Sequence, residues 1–200
     1  MNLLETFNQS AFLALNAGPG TPDSLLLLAR FSASWIILLV PAILLGLWFL
    51  GGRQGHRQAL FCAMTILIAL GLGFACGTLW FHPRPFMMPL GHTWISHPAD
   101  NSFPSDHGTV IFTFALAFLF WHRVWSGVLL LVIASAIAWS RVYLGVHWPL
   151  DMLGGLLAGM CGCLGAQLLW QSGGHGLYQW LQRLYRLCFS LPIRKGWVRG

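Results

Sequence analysis

Residues 31–52 read FSASWIILLVPAILLGLWFLGG and residues 58–81 read QALFCAMTILIALGLGFACGTLWF, two stretches without a charged side chain. A helix needs about 20 mostly apolar residues to cross a bilayer, so each stretch predicts a transmembrane helix. Residues 124–140 and 152–170 have the same character, and 108–121 is a shorter apolar run that the residues before it would extend. The expected fold is therefore all-α, a multi-pass transmembrane bundle of five spans. Residues 1–17 are apolar on one side only and predict an interfacial helix, with a sixth, tilted span as the alternative. Composition agrees: of 200 residues, 56% are hydrophobic and 8% charged, against roughly 25% charged in ordinary globular proteins. Mean hydropathy is +0.67. Such a chain cannot cover a water-facing surface, which excludes soluble, disordered, collagenous and coiled-coil classes. The first 20 residues contain Glu5 and no Lys or Arg, so the basic start of a cleavable signal peptide is missing. The chain reads as one integral-membrane domain: 1–23 an N-terminal interfacial segment, 24–170 a catalytic helical bundle, 171–200 a basic tail.

The formal net charge is +6. No basic stripe with interleaved aromatics occurs, so a nucleic-acid partner is not expected. Instead the basic residues mark topology. Arg53 and Arg57, Arg123, and Arg183, Arg186, Arg194, Lys195 and Arg199 all fall on one side of five crossings. That side is expected to be cytoplasmic, placing the N-terminus, 82–107 and 141–151 outside. Trp48, Trp80, Trp94, Trp121, Trp139, Trp148 and Trp170 lie near the span ends, where an aromatic belt belongs. Cys62, Cys76, Cys161 and Cys163 sit in apolar runs and read as small packing residues. Gly155 and Gly159 form a small-xxx-small pair that predicts a close helix crossing.

Arg84 and Arg141 break the charge bias, and both sit in polar clusters: 81-FHPRPF-86, 102-SFPSDHG-108 and 140-SRVYLGVHWPLD-151. The topology brings all three to the outer interface. Two guanidiniums suit phosphate or carboxylate oxygens. Ser105 reads as an N-cap that aims helix N–H groups at an anion. Asp151, four residues after His147 and in a helical first turn begun by Pro149, can fix the imidazole's tautomer and stabilise its positive charge. His107 is a second imidazole able to protonate a leaving oxygen. The ensemble reads as a metal-free phosphoryl-transfer site. His92 and His97 read as solvated loop residues.

The Pro-Ser-x-His of 104–107, the Ser-Arg-x5-His-x3-Asp of 140–151 and the Arg84-Pro85 pair together resemble the type 2 phosphatidic acid phosphatase superfamily. The wording Ser-Phe-Pro-Ser-Asp-His-Gly and the short length more narrowly resemble bacterial undecaprenyl-diphosphatases of the bacitracin-resistance type. The resemblance implies a phosphohistidine on His147, oriented by Asp151, with His107 as acid and then base. It implies that Arg84, Ser105 and Arg141 hold the phosphate, with backbone N–H groups near Gly108, and that no metal or cofactor is required. The substrate class it implies is a polyprenyl diphosphate lipid, taken from the outer leaflet of a bacterial inner membrane to recycle the cell-wall carrier. Bacitracin resistance would follow. Two positions depart from the pattern. The family's first motif begins with Lys where this chain has Gly77, and His82 is the candidate stand-in. Asp106 replaces a common Gly, and its carboxylate would repel phosphate unless paired. A glycerolipid substrate, transfer of the phosphoryl group to a lipid acceptor, and a non-catalytic lipid-binding scaffold are the alternatives.

Overall fold

The computed structural model describes residues 3–199, all helix and connecting loop. Helix α1 (Leu3–Leu15) precedes α2 (Asp23–Ser34), which a 3-10 turn at Ile36–Leu38 joins to α3 (Leu39–Leu50). Then come α4 (Gly52–Leu79), α5 (Asp106–Trp121), α6 (Val124–Tyr143) and α7 (Pro149–Leu169). A π-helical stretch, Trp170–Gly174, carries α7 into α8 (His175–Cys188), and α9 (Ser190–Arg194) follows. Among the described residues, four helical runs are long and apolar enough to cross a membrane: Asp23–Leu50, Gly52–Leu79, Val124–Tyr143 and Pro149–Cys188. Apolar α5 is shorter. With 16 residues it is about 24 Å long, less than a ~30 Å hydrocarbon core.

The first span begins at Asp23, eight residues before the expected 31, and so takes in Arg30, which is exposed and long enough to snorkel. Its 3-10 interruption has a local cause. Pro41 has no N–H to give and its ring crowds the carbonyl four residues back, on Ile37.

In a membrane, burial of apolar side chains does not by itself bring helices together, so close packing must. The crossing of α5 on α7 shows how. A Cβ on Gly155 would stand 2.7 Å from the Thr109 nitrogen, and one on Gly159 would stand 2.8 Å from Thr113 Oγ1. On α4's side, a Cβ on Gly162 would meet the Thr65 carbonyl oxygen at 2.7 Å. Helix α5 is thereby the central one, with Ile111, Phe114, Ala115 and Ala117 fully buried. The outward faces keep Leu27, Phe31, Leu67, Phe74, Val132 and Leu164 exposed, as lipid contact requires.

Some sequence expectations need correction. Trp148 is fully buried, not interfacial, and donates its indole N–H to the Pro83 carbonyl at 2.8 Å. Cys62 and Cys163 pack in the core, but Cys76 and Cys161 are exposed on the bundle surface. The segment after α7 folds back on the bundle. Tyr185 is buried and lies edge-on to Trp48, and the Arg199 N–H donates to the Phe49 carbonyl. Helix α1 likewise packs inward: Phe12 is buried edge-on against Trp148 at 5.0 Å between ring centres.

Candidate active site

The loop between α6 and α7 and the first turn of α7 build the centre. Pro149 opens the helix with a φ suited to it and no N–H to waste. Two residues on, Asp151 turns back and accepts the Trp148 N–H on Oδ2 at 2.8 Å. The same oxygen lies 3.2 Å from His147 Nδ1 and accepts the Ser102 hydroxyl at 2.5 Å. Asp151 is completely buried and His147 nearly so. This arrangement keeps the hydrogen on Nδ1 and leaves Nε2 with its lone pair. The loop can turn here because Gly145 has φ +81°, with the His92 carbonyl oxygen 2.1 Å from where a Cβ would be.

Arg84 is a fixed post. Its Nε–H donates to Asp100 at 2.7 Å, Nη1 to the Val146 carbonyl at 3.0 Å and Nη2 to the Asn101 carbonyl at 3.1 Å. Nη1 also lies 2.9 Å from His147 Nε2 and 3.3 Å from Nδ1. Such similar distances put it beside the ring, not out along the Nε2 lone pair. Arg141 differs. It is 4% exposed, yet its Nε and Nη2 have no hydrogen-bond partner. Buried polar groups are nearly always paired, so this guanidinium is arranged to receive an anion. Ser105 caps α5, accepting the Gly108 N–H at 3.3 Å, and its own hydroxyl hydrogen remains to donate. The Ser105 N–H donates to the Asp151 carbonyl at 3.2 Å, which ties the starts of α5 and α7 together.

The remaining expected residues distribute unevenly. His107 is half-buried at the start of α5 and within electrostatic reach of His147. The Gly108 amide is engaged by the Ser105 cap, which leaves the Asp106 and His107 amides as the forward donors of this helix end. Asp106 is exposed, and among the described residues it makes no ion pair with His107 within 4.0 Å. His82 does not stand in for the missing Lys. Its Nε2 lies 3.4 Å from Glu5, and its Nδ1 lies 3.8 Å from Asp151 Oδ1. At Gly77, where the family has Lys, a Cβ would stand 2.6 Å from Asn101 Nδ2. Asn101 fills that place and staples the loop, accepting the His82 N–H at 2.6 Å and donating to the Phe103 carbonyl.

Sequence reasoning missed Ser102, Asp100 and Asn101, and it read His97 as a solvated loop residue. The His97 ring stands edge-on to His147, 5.9 Å between centres. Ser102 lay in a cluster already singled out, and Asp100 is one of five acids in the whole chain, a scarcity that is itself a signal. Burial, with Arg141 and Arg84 adding to it, holds the pKa of His147 well below its ordinary 6.5. Burial lowers that of His97 too, in the same cationic field.

A buried imidazole held by a carboxylate, between one anchored arginine and one unpartnered arginine, has the charge and the free donors to take an anion such as a phosphate group. Residues 55–173 match the PAP2 superfamily. The chain belongs to this superfamily. As a PAP2 protein it is 55% identical over 197 residues to YbjG of Escherichia coli (strain K12), whose undecaprenyl-diphosphatase assignment is provisional; the match covers 98% of this chain and all of YbjG. It is 35% identical over 127 residues to the undecaprenyl-diphosphatase BcrC of Bacillus subtilis (strain 168), covering 64% of this chain and 65% of BcrC. The PAP2 bundle superposes on the crystal structure of Aquifex aeolicus LpxE with a TM-score of 0.64 at 21% identity, over 80% of this chain and 94% of that one.

Proposed function

We propose that this PAP2 protein hydrolyses undecaprenyl diphosphate to undecaprenyl phosphate and inorganic phosphate through a phosphohistidine. The observation that carries the reading is the unpartnered, buried Arg141 guanidinium beside a His147 whose Nδ1 is engaged by Asp151. The terminal phosphate enters against Arg141, Arg84, the Ser105 hydroxyl and the free amides of α5. His147 Nε2 attacks phosphorus, and the N–P bond forms as the bond to the bridging oxygen breaks. His107 gives its proton to the departing lipid phosphate. Asp151 stabilises the positive charge on the phosphorylated ring. Water then attacks phosphorus, His107 takes a proton from it, the N–P bond breaks, and inorganic phosphate leaves. The undecaprenyl-diphosphatase names of YbjG and BcrC support the lipid. The asymmetry of basic residues supports an inner-membrane protein with a cytoplasmic C-terminus and a periplasmic site, and with it a part in carrier recycling and bacitracin resistance.

The test is phosphate release by the purified protein in detergent with EDTA, comparing undecaprenyl diphosphate, phosphatidate and phosphatidylglycerophosphate. His147→Ala serves as the blank. Preference for the prenyl diphosphate, with no release from the variant, is expected. Preference for a glycerolipid discards the substrate and keeps the mechanism, whereas turnover by folded His147→Ala removes the nucleophile.

A further inference from the structure

Asp151 has two oxygens, and the mechanism above uses one. Oδ2 takes three donors, from Trp148, Ser102 and His147. Oδ1 is buried without a hydrogen-bond partner, and a carboxylate oxygen left so is costly. The group nearest to satisfying it is His82 Nδ1, 3.8 Å away and equally unpartnered. On the far side of that ring, Nε2 lies 3.4 Å from Glu5 Oε2. Two carboxylates therefore flank one imidazole, and the ring satisfies both when each nitrogen carries a hydrogen. Among the described residues, the carboxylates within 4.0 Å of His82 are those of Glu5 from α1 and Asp151 from α7, whereas Arg84, two residues on, is held by Asp100 and lies against His147.

Helix α1 holds this arrangement in place. Asn8, one turn after Glu5 and fully buried, accepts the Leu150 N–H at 3.1 Å, in the first turn that carries Asp151. Its Nδ2 is a third unpartnered buried atom. Glu5, Asn8, His82 and Asp151 line one cavity of about 120 Å³. This is room for a water to shorten the 3.8 Å approach, with Asn8 as a further donor to it.

We propose that His82, backed by Glu5, is the second imidazole partner of the catalytic carboxylate, so that His147, Asp151, His82 and Glu5 act as one chain. This rests on the reading of His147 and Asp151 above. His82 and Glu5 are positioning residues: they touch no substrate atom and act by fixing the orientation and charge of Asp151, much as an outer partner orients a metal-bound or catalytic histidine. The chain lies behind the nucleophile and draws on Glu5 of α1, outside the three polar clusters.

The experiment is a double-mutant cycle on the full chain in detergent micelles, with undecaprenyl diphosphate as probe. His82→Phe and Glu5→Gln, singly and together, are assayed for kcat and KM across pH 5–9, with Tm measured in parallel. His82→Gln is the conservative variant. Expected are a kcat loss of tenfold or more in His82→Phe with KM within twofold, an altered pH profile, and partial recovery in His82→Gln. The double variant should lose no more than His82→Phe alone, because both changes cut the same chain. Wild-type kcat and pH profile in folded His82→Phe overturn the proposal, as does a double variant whose loss is the product of the single losses. Should His147→Ala retain turnover, the nucleophile reading fails on its own, while the coupling of Glu5 to His82 is still decided by the cycle.

Discussion

At the scale of single residues, the candidate site holds one arginine anchored and one unpartnered, and one carboxylate oxygen engaged and the other unpartnered. Asp151→Asn keeps the shape but removes the charge and permits the wrong tautomer of His147; kcat should fall on the order of a thousandfold or more, as when a triad aspartate is amidated. A rate near wild type in a phosphate-release assay would remove Asp151 from the mechanism. Restoring the family's lysine is expected to harm. Gly77→Lys must displace Asn101 from the His82 amide and Phe103 carbonyl, loosening the loop that anchors Arg84, and kcat/KM should drop where a missing-contact view expects a gain. The depressed pKa of His147 sets a pH dependence of stability. Unfolded, the ring takes up a proton below about 6.5; folded, it resists doing so until well lower. Stability is thus lost as pH falls below 6.5, by at most roughly 1.4 kcal/mol per pH unit from this group. The slope of Tm against pH in that window should flatten in His147→Gln. Arg84, Ser105, His107, Arg141, His147 and Asp151 could be singled out from the sequence because they fall at motif spacing, and hydrogen bonds in the structure link Arg84 and Asp151 to His147 and Ser105 to Asp151. Ser102, Asp100 and Asn101 could not, because they act through hydrogen bonds to residues 16 to 49 positions away, which no local pattern records.

At the scale of elements, the crossing of α5 on α7 sets how the starts of the two helices, with Ser105 and Asp151, stand to one another. Gly155→Val places a side chain against the backbone of Thr109, which cannot swing aside, so α5 must move with Ser105 and His107. Overpacking typically costs 1–3 kcal/mol, and here we expect about the upper end, with kcat reduced even where the variant remains folded. Gly165→Val on the same helix is the control, since its Cβ would meet Ile68 at an ordinary 3.4 Å. Wild-type Tm and kcat in Gly155→Val would show that the crossing has slack. The small-xxx-small spacing announced this contact, and the proline at 41 contained the reason for the break before α3. The start of the first span was not legible, since 25–29 is apolar but Arg30 follows it, and a charge inside an apolar run looks like its boundary.

At the scale of the whole molecule, α1 is part of the end of the bundle that carries the candidate site. Asn16 donates to the His92 and Tyr143 carbonyls at 2.9 and 3.0 Å and accepts the His92 N–H at 2.6 Å, so it pins a loop to the end of α6. Asn8 reaches α7 and Phe12 reaches Trp148. A chain lacking residues 1–16 should insert yet lose at least tenfold in kcat when purified in detergent, where a mere membrane anchor would be dispensable; full activity of that chain would contradict the fold's account. The one-sided apolar pattern of 1–17 was legible, but not that Glu5 and Asn8 share a cavity with Asp151. The contact between Asn8 and Leu150 spans 142 residues, and this has a consequence for biosynthesis. Chains leave the ribosome N-terminus first, at about 5–20 residues per second, so α1 waits through most of translation for the helix it must meet. The contact is completed only once α7 has emerged, so a nascent chain that stops before Leu150 lacks both the partner of Asn8 and Asp151.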